Sequence, residues 1–539
     1  MPDDGQTRTP LTRCAGSGPI RGVAAASRRR SRVSSSLVVL AVSLAVAATA
    51  SGAHTQRMGD QLTIGRFGAP TSLDPAVNNA GLNVYTTLAY DPLILQDANG
   101  KLLPGLAVAW RYVGSGNRVF EFTLRKGVRF SDGTRMTARG VKASLLRFRD
   151  AKGPSANLAT FSSIDVTGPL TLRLRLSKPN PIVPELLDQW NMIGENVISP
   201  AALRDPSKLK TATFGAGPYM LNTAQTVPGD HYTFTPNPYY WNKKAVHYRR
   251  VVVKVITDPN STLQALITGQ IDVTEGDPGT VGAARDAQLR VLGVPFTFVG
   301  IALADRGGTV SKPLGDVRVR QALNYAIDRK VITKALYQPG VAAPAVQPSR
   351  PGLDNWVKSY ANRYAYDPAK AKQLLSAAGY GQGFSLTILS TPIVGLDNMV
   401  QAVASYWEKV GVRVELHSDA VVGQYVTDLA SKNFPAFAIV NGTAPTYIQA
   451  NVNLFPDAQF NPFHTADARI QSLYNAAAAA PAVKATGVYQ QLAKRVMDQG
   501  WFAPVSLTNL IFYVRPSIGG ARVTSQRPGI EVRDLYPRG

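Results

Sequence analysis

The stretch FSDGTRMTARGVKASLLR, residues 130–147, sets one carboxylate, two threonine hydroxyls and a group of arginines within a few positions of each other. Asp132 could be a chemical group facing a substrate, or the organiser of a turn. Ser131-Asp132-Gly133-Thr134 is turn chemistry, in which an aspartate accepts from its own backbone and glycine takes the positive φ, so the turn is the expected reading. The five histidines, His54, His231, His247, His417 and His464, are scattered, and no two stand at metal-ligand spacing. His417 precedes Asp419 in HSD, as a strand end running into a turn would. No G-x-S-x-G, H-E-x-x-H, G-x-x-x-x-G-K-[ST] or G-x-G-x-x-G occurs, so no catalytic site of those kinds is expected, and no metal or cofactor.

The elements around these residues follow from periodicity. Phe120, Phe122 and Leu124 alternate with Glu121, Thr123 and Arg125, the pattern of a half-buried strand, and Lys126-Gly127 turns the chain. Thr137 then caps a helix that faces Val141, Leu145 and Phe148 inward. LTLRLRLS, residues 170–177, is a second alternating strand. Its Arg173 and Arg175 either hold an anion or face solvent, the commoner case. VVVKVI, residues 251–256, is apolar enough for a central strand covered on both faces. Asp316 caps a helix with Val319, Ala322, Leu323, Ala326 and Ile327 on one stripe. Asp367-Pro368 opens another helix, which Gly379 ends. A strand at 383–390, a helix through Tyr406 and Trp407, and a strand from Gly411 complete an α/β alternation.

Composition sets the compartment. The chain has 539 residues, 45% of them hydrophobic, enough for two or three domain-sized units. Arg28, Arg29, Arg30 and Arg32 precede an uncharged run from Leu37 to Ala53, the layout of an export signal ending after Ala50 or Ala53. Residues 1–27 ahead of the arginine cluster are long for such a leader, which suggests a translation start further downstream. The single cysteine, Cys14, lies before the apolar run, so the exported part has no disulfide and no cysteine for a lipid. Net charge is +23; residues 1–53 hold seven Arg and two Asp, five of those charges, which leaves +18 for the remainder. Past residue 53 the basic residues never run longer than two, so a solvated basic surface is expected and no nucleic acid.

LTIGRFGAPTSLDPA, AYDPLILQDANGKLLPGLAVAW, FEFTLRKGVRFSDGTRMTARGVKAS, FGAGPYML, NPYYW, LITGQIDV, DVRVRQALNYAIDRKVI and YDPAKAKQLLSAAGY follow one another between residues 62 and 380. This succession resembles the extracellular solute-binding proteins of family 5, the dipeptide, oligopeptide and nickel receptors of ABC importers, and the likeness extends to about residue 515. The resemblance implies an α/β, two-lobed periplasmic-binding-protein fold of type II, in the large form with an extra domain inserted in the first lobe. Lobe 1 would comprise residues 54–95, 201–305 and 501–539, the inserted domain 96–200, and lobe 2 306–500. It implies a periplasmic or extracellular monomer that captures a small organic solute, by default a peptide, and delivers it to a membrane permease; the lack of a cysteine after the apolar run makes it not a lipoprotein. An anchored solute sensor is the alternative. One departure is Gly140, where the family often has an acidic residue.

The resemblance also points to the ligand site. Peptide receptors of this family hold the ligand's ammonium on the aspartate of a Trp-x-x-Asp-like segment. In the matching residues 434–453, Asn441 stands for the tryptophan and Ala444 for the aspartate, which disfavours a free amine and suits a neutral, sugar-like solute. Asn441, Gly442, Thr443, Thr446 and Tyr447 are site candidates, or else simply the turn that Asn-Gly signals. Gly68, Ala69 and Thr71 before SLDP, Phe296 and Phe298 in one hinge strand, and Ser506 and Thr508 in the other complete the set. Trp241 and Trp407 are expected in the core.

Overall fold

The computed structural model describes residues 58–77, 84–151, 161–189 and 196–538. The export signal and downstream start expected in residues 1–53 lie outside them. Among the described residues the largest sheet has eleven strands. Residues 412–418, 384–390, 436–442, 290–303, 502–514, 273–275, 59–66, 248–255, 231–236 and 219–221 lie side by side in that order, and 342–344 also pairs with 502–514.

Each end of this sheet has a parallel core. Phe384–Ser390 pairs parallel with Val412–Ser418 and with Ala436–Gly442, and Gly59–Arg66 pairs parallel with Tyr248–Val255 and with Val273–Glu275. In the first of these, helix Leu396–Glu408 makes the crossover that parallel neighbours require. Trp407 on that helix is fully buried and donates its indole N–H to the Leu323 carbonyl at 2.9 Å, locking it onto helix Val317–Tyr325. A separate four-stranded antiparallel sheet contains Val119–Leu124 and Thr171–Leu176 and packs against helix Ala138–Asp150.

Local chemistry explains these elements as the sequence suggests. Thr137 Oγ1 accepts from the Gly140 N–H at 3.1 Å, and the carboxylates of Asp316 and Asp367 cap their helices on Arg318 N and Lys370 N. Gly379 ends its helix at φ +89°. Asp132 is a turn residue: it accepts from Thr134 N at 2.9 Å and from the Ser199 hydroxyl, beside Gly133 at φ +81°. Arg173 and Arg175 pair with Glu121 and Asp165 on neighbouring strands. The 251–256 stretch is central but not covered throughout: Val251 and Val253 are buried and Val252 is half-exposed. Trp241, expected in the core, is half-buried, with Arg125 stacked 3.9 Å over its ring and its N–H donated to Asp91.

Asp91 also accepts from Arg533 at 2.7 Å, and Arg533 bonds Glu531, so a buried charge network holds the C-terminal segment in place beside the site described below. Gly140 is explained by contact: a Cβ there would lie 2.6 Å from Pro200 Cγ. Gly140→Asp is therefore expected to lower the unfolding free energy by about 1–3 kcal/mol through overpacking, measured by urea denaturation. An unchanged midpoint would show that Pro200 yields.

Candidate functional site: a charged cleft beside the two crossing strands

The strands Arg290–Leu303 and Phe502–Val514 pair antiparallel from Arg290 opposite Val514 to Ala302 opposite Phe502, and they join the two ends of the large sheet. Their register slips between Pro295 and Thr297 and again between Val299 and Gly300. Pro295 has no N–H to give to a ladder. Gly300 admits the partner strand so closely that a Cβ would sit 2.6 Å from the Ala503 carbonyl oxygen. A bulge re-aims the side chain it contains. Phe296 accordingly lines a cleft, while Phe298, which would otherwise share its face, is buried against Phe502 at 5.8 Å between ring centres.

The Phe296 carbonyl accepts from both the Thr443 N–H, at 2.7 Å, and the Thr443 hydroxyl, at 2.6 Å. This holds Thr443, Ala444 and Pro445 at the wall of the cleft. A second loop docks on the first: Asp354 Oδ1 accepts from Thr446 N and Oγ1, both at 2.9 Å, and Asn355 Nδ2 donates to the Ala444 carbonyl at 3.1 Å. The same loop supplies Arg350, whose guanidinium donates to the Ser525 carbonyl and sits 6.0 Å from the Phe296 ring centre. The cleft encloses about 660 Å³, room for a ligand of several residues, and Glu185 and Tyr489 line it too.

Its electrostatics are unusual for an empty surface. Arg66 and Glu275 neutralise each other at 2.9 Å, and Glu531 is matched by Arg533. Arg350 is different: it is 4% exposed, burial pushes its pKa down to about 10, and it has no carboxylate within ion-pair distance among the described residues. Asp354 has no cation within that distance among the described residues either, and burial raises its pKa. Glu185 is pushed up to about 6, first by burial and then by the nearby charge of Asp354. The Tyr489 hydroxyl is buried with no partner among the described residues. Arg350 and Asp354, each without an opposite charge at contact distance among the described residues, stand in the cleft at a cost in stability.

Of the residues expected from sequence, Phe296 and Thr443 line this cleft. Thr446 stands behind it, holding Asp354. Gly442 packs against the Phe296 ring, and its carbonyl accepts from Gln449; Asn441 donates to Asn453. Tyr447 is core, stacked on Tyr474 with ring centres 5.7 Å apart, and Phe298 is core as described. Ser506 is fully buried opposite Val299, and Thr508 pairs with Thr297. Gly68, Ala69 and Thr71 do not line the cleft: the Gly68 carbonyl accepts from the Tyr85 hydroxyl, Ala69 packs on the core, and Thr71 is exposed. The strand just before them provides Ile64 and Arg66 instead. Ala444 does line the cleft, and two carboxylates from other segments, Asp354 and Glu185, line it as well.

The fold and cleft are those of a two-lobed solute receptor. The chain belongs to the bacterial extracellular solute-binding proteins of family 5, whose description ("Bacterial extracellular solute-binding proteins, family 5 Middle") matches residues 101–461. It is similar to the periplasmic murein peptide-binding protein MppA of Escherichia coli K12, 27% identical over 449 residues, covering 76% of this chain and 79% of that protein. Its fold is similar to that of HbpA2 from Haemophilus parasuis, with TM-score 0.78 and 22% identity over 89% of this chain and 100% of the other. It is similar also to periplasmic binding protein DppA from Helicobacter pylori in complex with peptide STSA, with TM-score 0.69 and 21% identity over 89% and 98% of the two chains. Among the described residues no helix is long and apolar enough to cross a membrane.

Because the Glu185 pKa lies above its ordinary value of 4.5 in the folded protein, its contribution to stability is intact below pH 4.5 and is lost as pH rises through about 6. Glu185→Gln removes that loss. The variant should be more stable than the parent at pH 7 by about 1–2 kcal/mol and no more stable at pH 4, measured by denaturation at both pH values.

Proposed function

We propose that this protein is the exported substrate-binding component of an ABC importer, and that its ligand is a short peptide with both termini free. The observation that supports the peptide is the pair of uncompensated charges in one cleft, the Arg350 guanidinium and the Asp354 carboxylate, reinforced by Glu185. A peptide ammonium would settle on Asp354 and Glu185, and a terminal carboxylate would reach Arg350, with Phe296 and the Tyr489 hydroxyl filling the space between. The ligand names of MppA and of the DppA complex agree with this class.

In this reading no bond is made or broken. Binding from both walls favours the closed state, and differential affinity for that state drives closure. Micromolar affinity needs only about 8 kcal/mol, within reach of two charge-assisted contacts and some apolar surface. Lobe 1 would comprise residues 54–95, 201–305 and 501–539, the inserted domain 96–200, and lobe 2 306–500. The protein would act as a monomer in the periplasm or outside the cell, and hand the peptide to a membrane permease.

Titration calorimetry with di- to pentapeptides, each also N-acetylated or C-amidated, tests the charge assignment. Acetylation and Asp354→Asn are each expected to weaken binding about tenfold or more, and the two losses should not add, because they remove the same contact. Equal affinity for free and acetylated peptides would overturn it.

A further inference from the structure

The end of the Val412–Ser418 strand gathers groups the solute cleft does not use. His417 Nε2 lies 3.3 Å from Asp419 Oδ1 and 3.8 Å from Asp428 Oδ2, and one ligand atom from each of the three residues falls within 4.8 Å of the others. Asp428 lies on helix Val422–Ala430, eleven positions after His417, so local spacing hides the trio. Asp419 is 8% exposed, and its Oδ2 is buried with no hydrogen-bond partner. A second carboxylate oxygen at this edge, Asp397 Oδ1, is likewise buried without a donor, while Asp397 Oδ2 accepts from Ser418. The edge therefore holds more buried acceptor oxygens than donors, the imbalance that a cation corrects.

A protonated imidazole could itself be that cation, but it would be expected to aim an N–H at a carboxylate in a charge-assisted hydrogen bond. His417 sits at ion-pair distance from both aspartates without making one. Its ring packs instead on Phe434, centres 4.7 Å apart, which fixes the imidazole plane and leaves Nε2 facing the two carboxylates. With metal–ligand bonds of about 2.0–2.2 Å, donor atoms around a tetrahedral ion stand roughly 3.4 Å apart. The His417–Asp419 separation, 3.3 Å, already has that value, His417–Asp428 is 3.8 Å, and with all three atoms within 4.8 Å of one another Asp428 is the residue that has to move in.

We propose that His417, Asp419 and Asp428 form a divalent transition-metal site, suited to Zn²⁺, separate from the solute cleft. One imidazole and two carboxylates are a borderline-hard donor set, and the remaining coordination position falls to water. The site would brace an otherwise lightly held element. On helix Val422–Ala430 only Leu429 is buried, and Val422 and Val426 are exposed, so the bond from the Tyr425 hydroxyl to the Ala438 carbonyl is a main tether. Bound metal would tie that helix to the strand through Asp428.

Chelator-stripped protein titrated with zinc chloride tests this. The expected result is one Zn²⁺ per chain, with affinity reduced at least about tenfold in His417→Ala and in Asp428→Asn, the latter a part-exposed and nearly isosteric change. Zinc should also slow amide exchange in residues 422–430 in the parent and not in either variant. No zinc bound at molar excess, or zinc bound equally well by both variants, would overturn the proposal.

Discussion

Two crossing strands hold the arrangement together. Arg290–Leu303 and Phe502–Val514 share one ladder that joins the parallel cores at the two ends of the large sheet, and the defects in that ladder are as informative as the pairing. Pro295 and Gly300 loosen the register at two points, and between them the chain turns Phe296 out of alternation while keeping Phe298 in the core. Because the Phe296 carbonyl then takes both Thr443 hydrogen bonds, the loop that bears Ala444 is positioned by the crossing strands themselves. The Asp354 and Arg350 loop is positioned in turn by that one.

This hierarchy explains how unsatisfied charge survives near the middle of a folded protein. A buried guanidinium and a half-buried carboxylate, each without an opposite charge at contact distance among the described residues, lower stability unless neighbouring groups hold them in place. Here neighbouring groups do so: the Thr446 backbone N–H and hydroxyl both donate to Asp354, and the Ser525 carbonyl receives Arg350. The C-terminal segment that provides Ser525 is itself held by Arg533, which bonds Glu531 two residues away and Asp91, far away in sequence. The fold thus gives up stability to keep charges of both signs in one cleft, a common compromise at binding sites.

What the sequence revealed follows the range of the forces involved. Alternation in 119–124, the caps Thr137, Asp316 and Asp367, and the turn at Asp132 depend on residues within four positions of each other, and all appear as expected. Arg173 and Arg175 remained ambiguous because their partners, Glu121 and Asp165, lie on other strands. The site was only partly readable. Phe296 and Thr443 came from the family resemblance, but periodicity could not separate Phe296 from Phe298 without the bulge. Glu185, Arg350, Asp354 and Tyr489 escaped because each looks like ordinary turn or helix chemistry until tertiary contacts bring it to the cleft. Ala444 alone did not describe the charge of the cleft for the same reason: that charge is set by every segment that reaches it.

Native mass spectrometry of protein purified without denaturation, followed by denaturing release and identification of the bound molecule, tests the account most directly. A released peptide with a free amino terminus and a free carboxyl terminus is the predicted result. A neutral compound, such as a sugar-like solute, would contradict the assignment of Asp354, Glu185 and Arg350 as the groups that recognise the ligand.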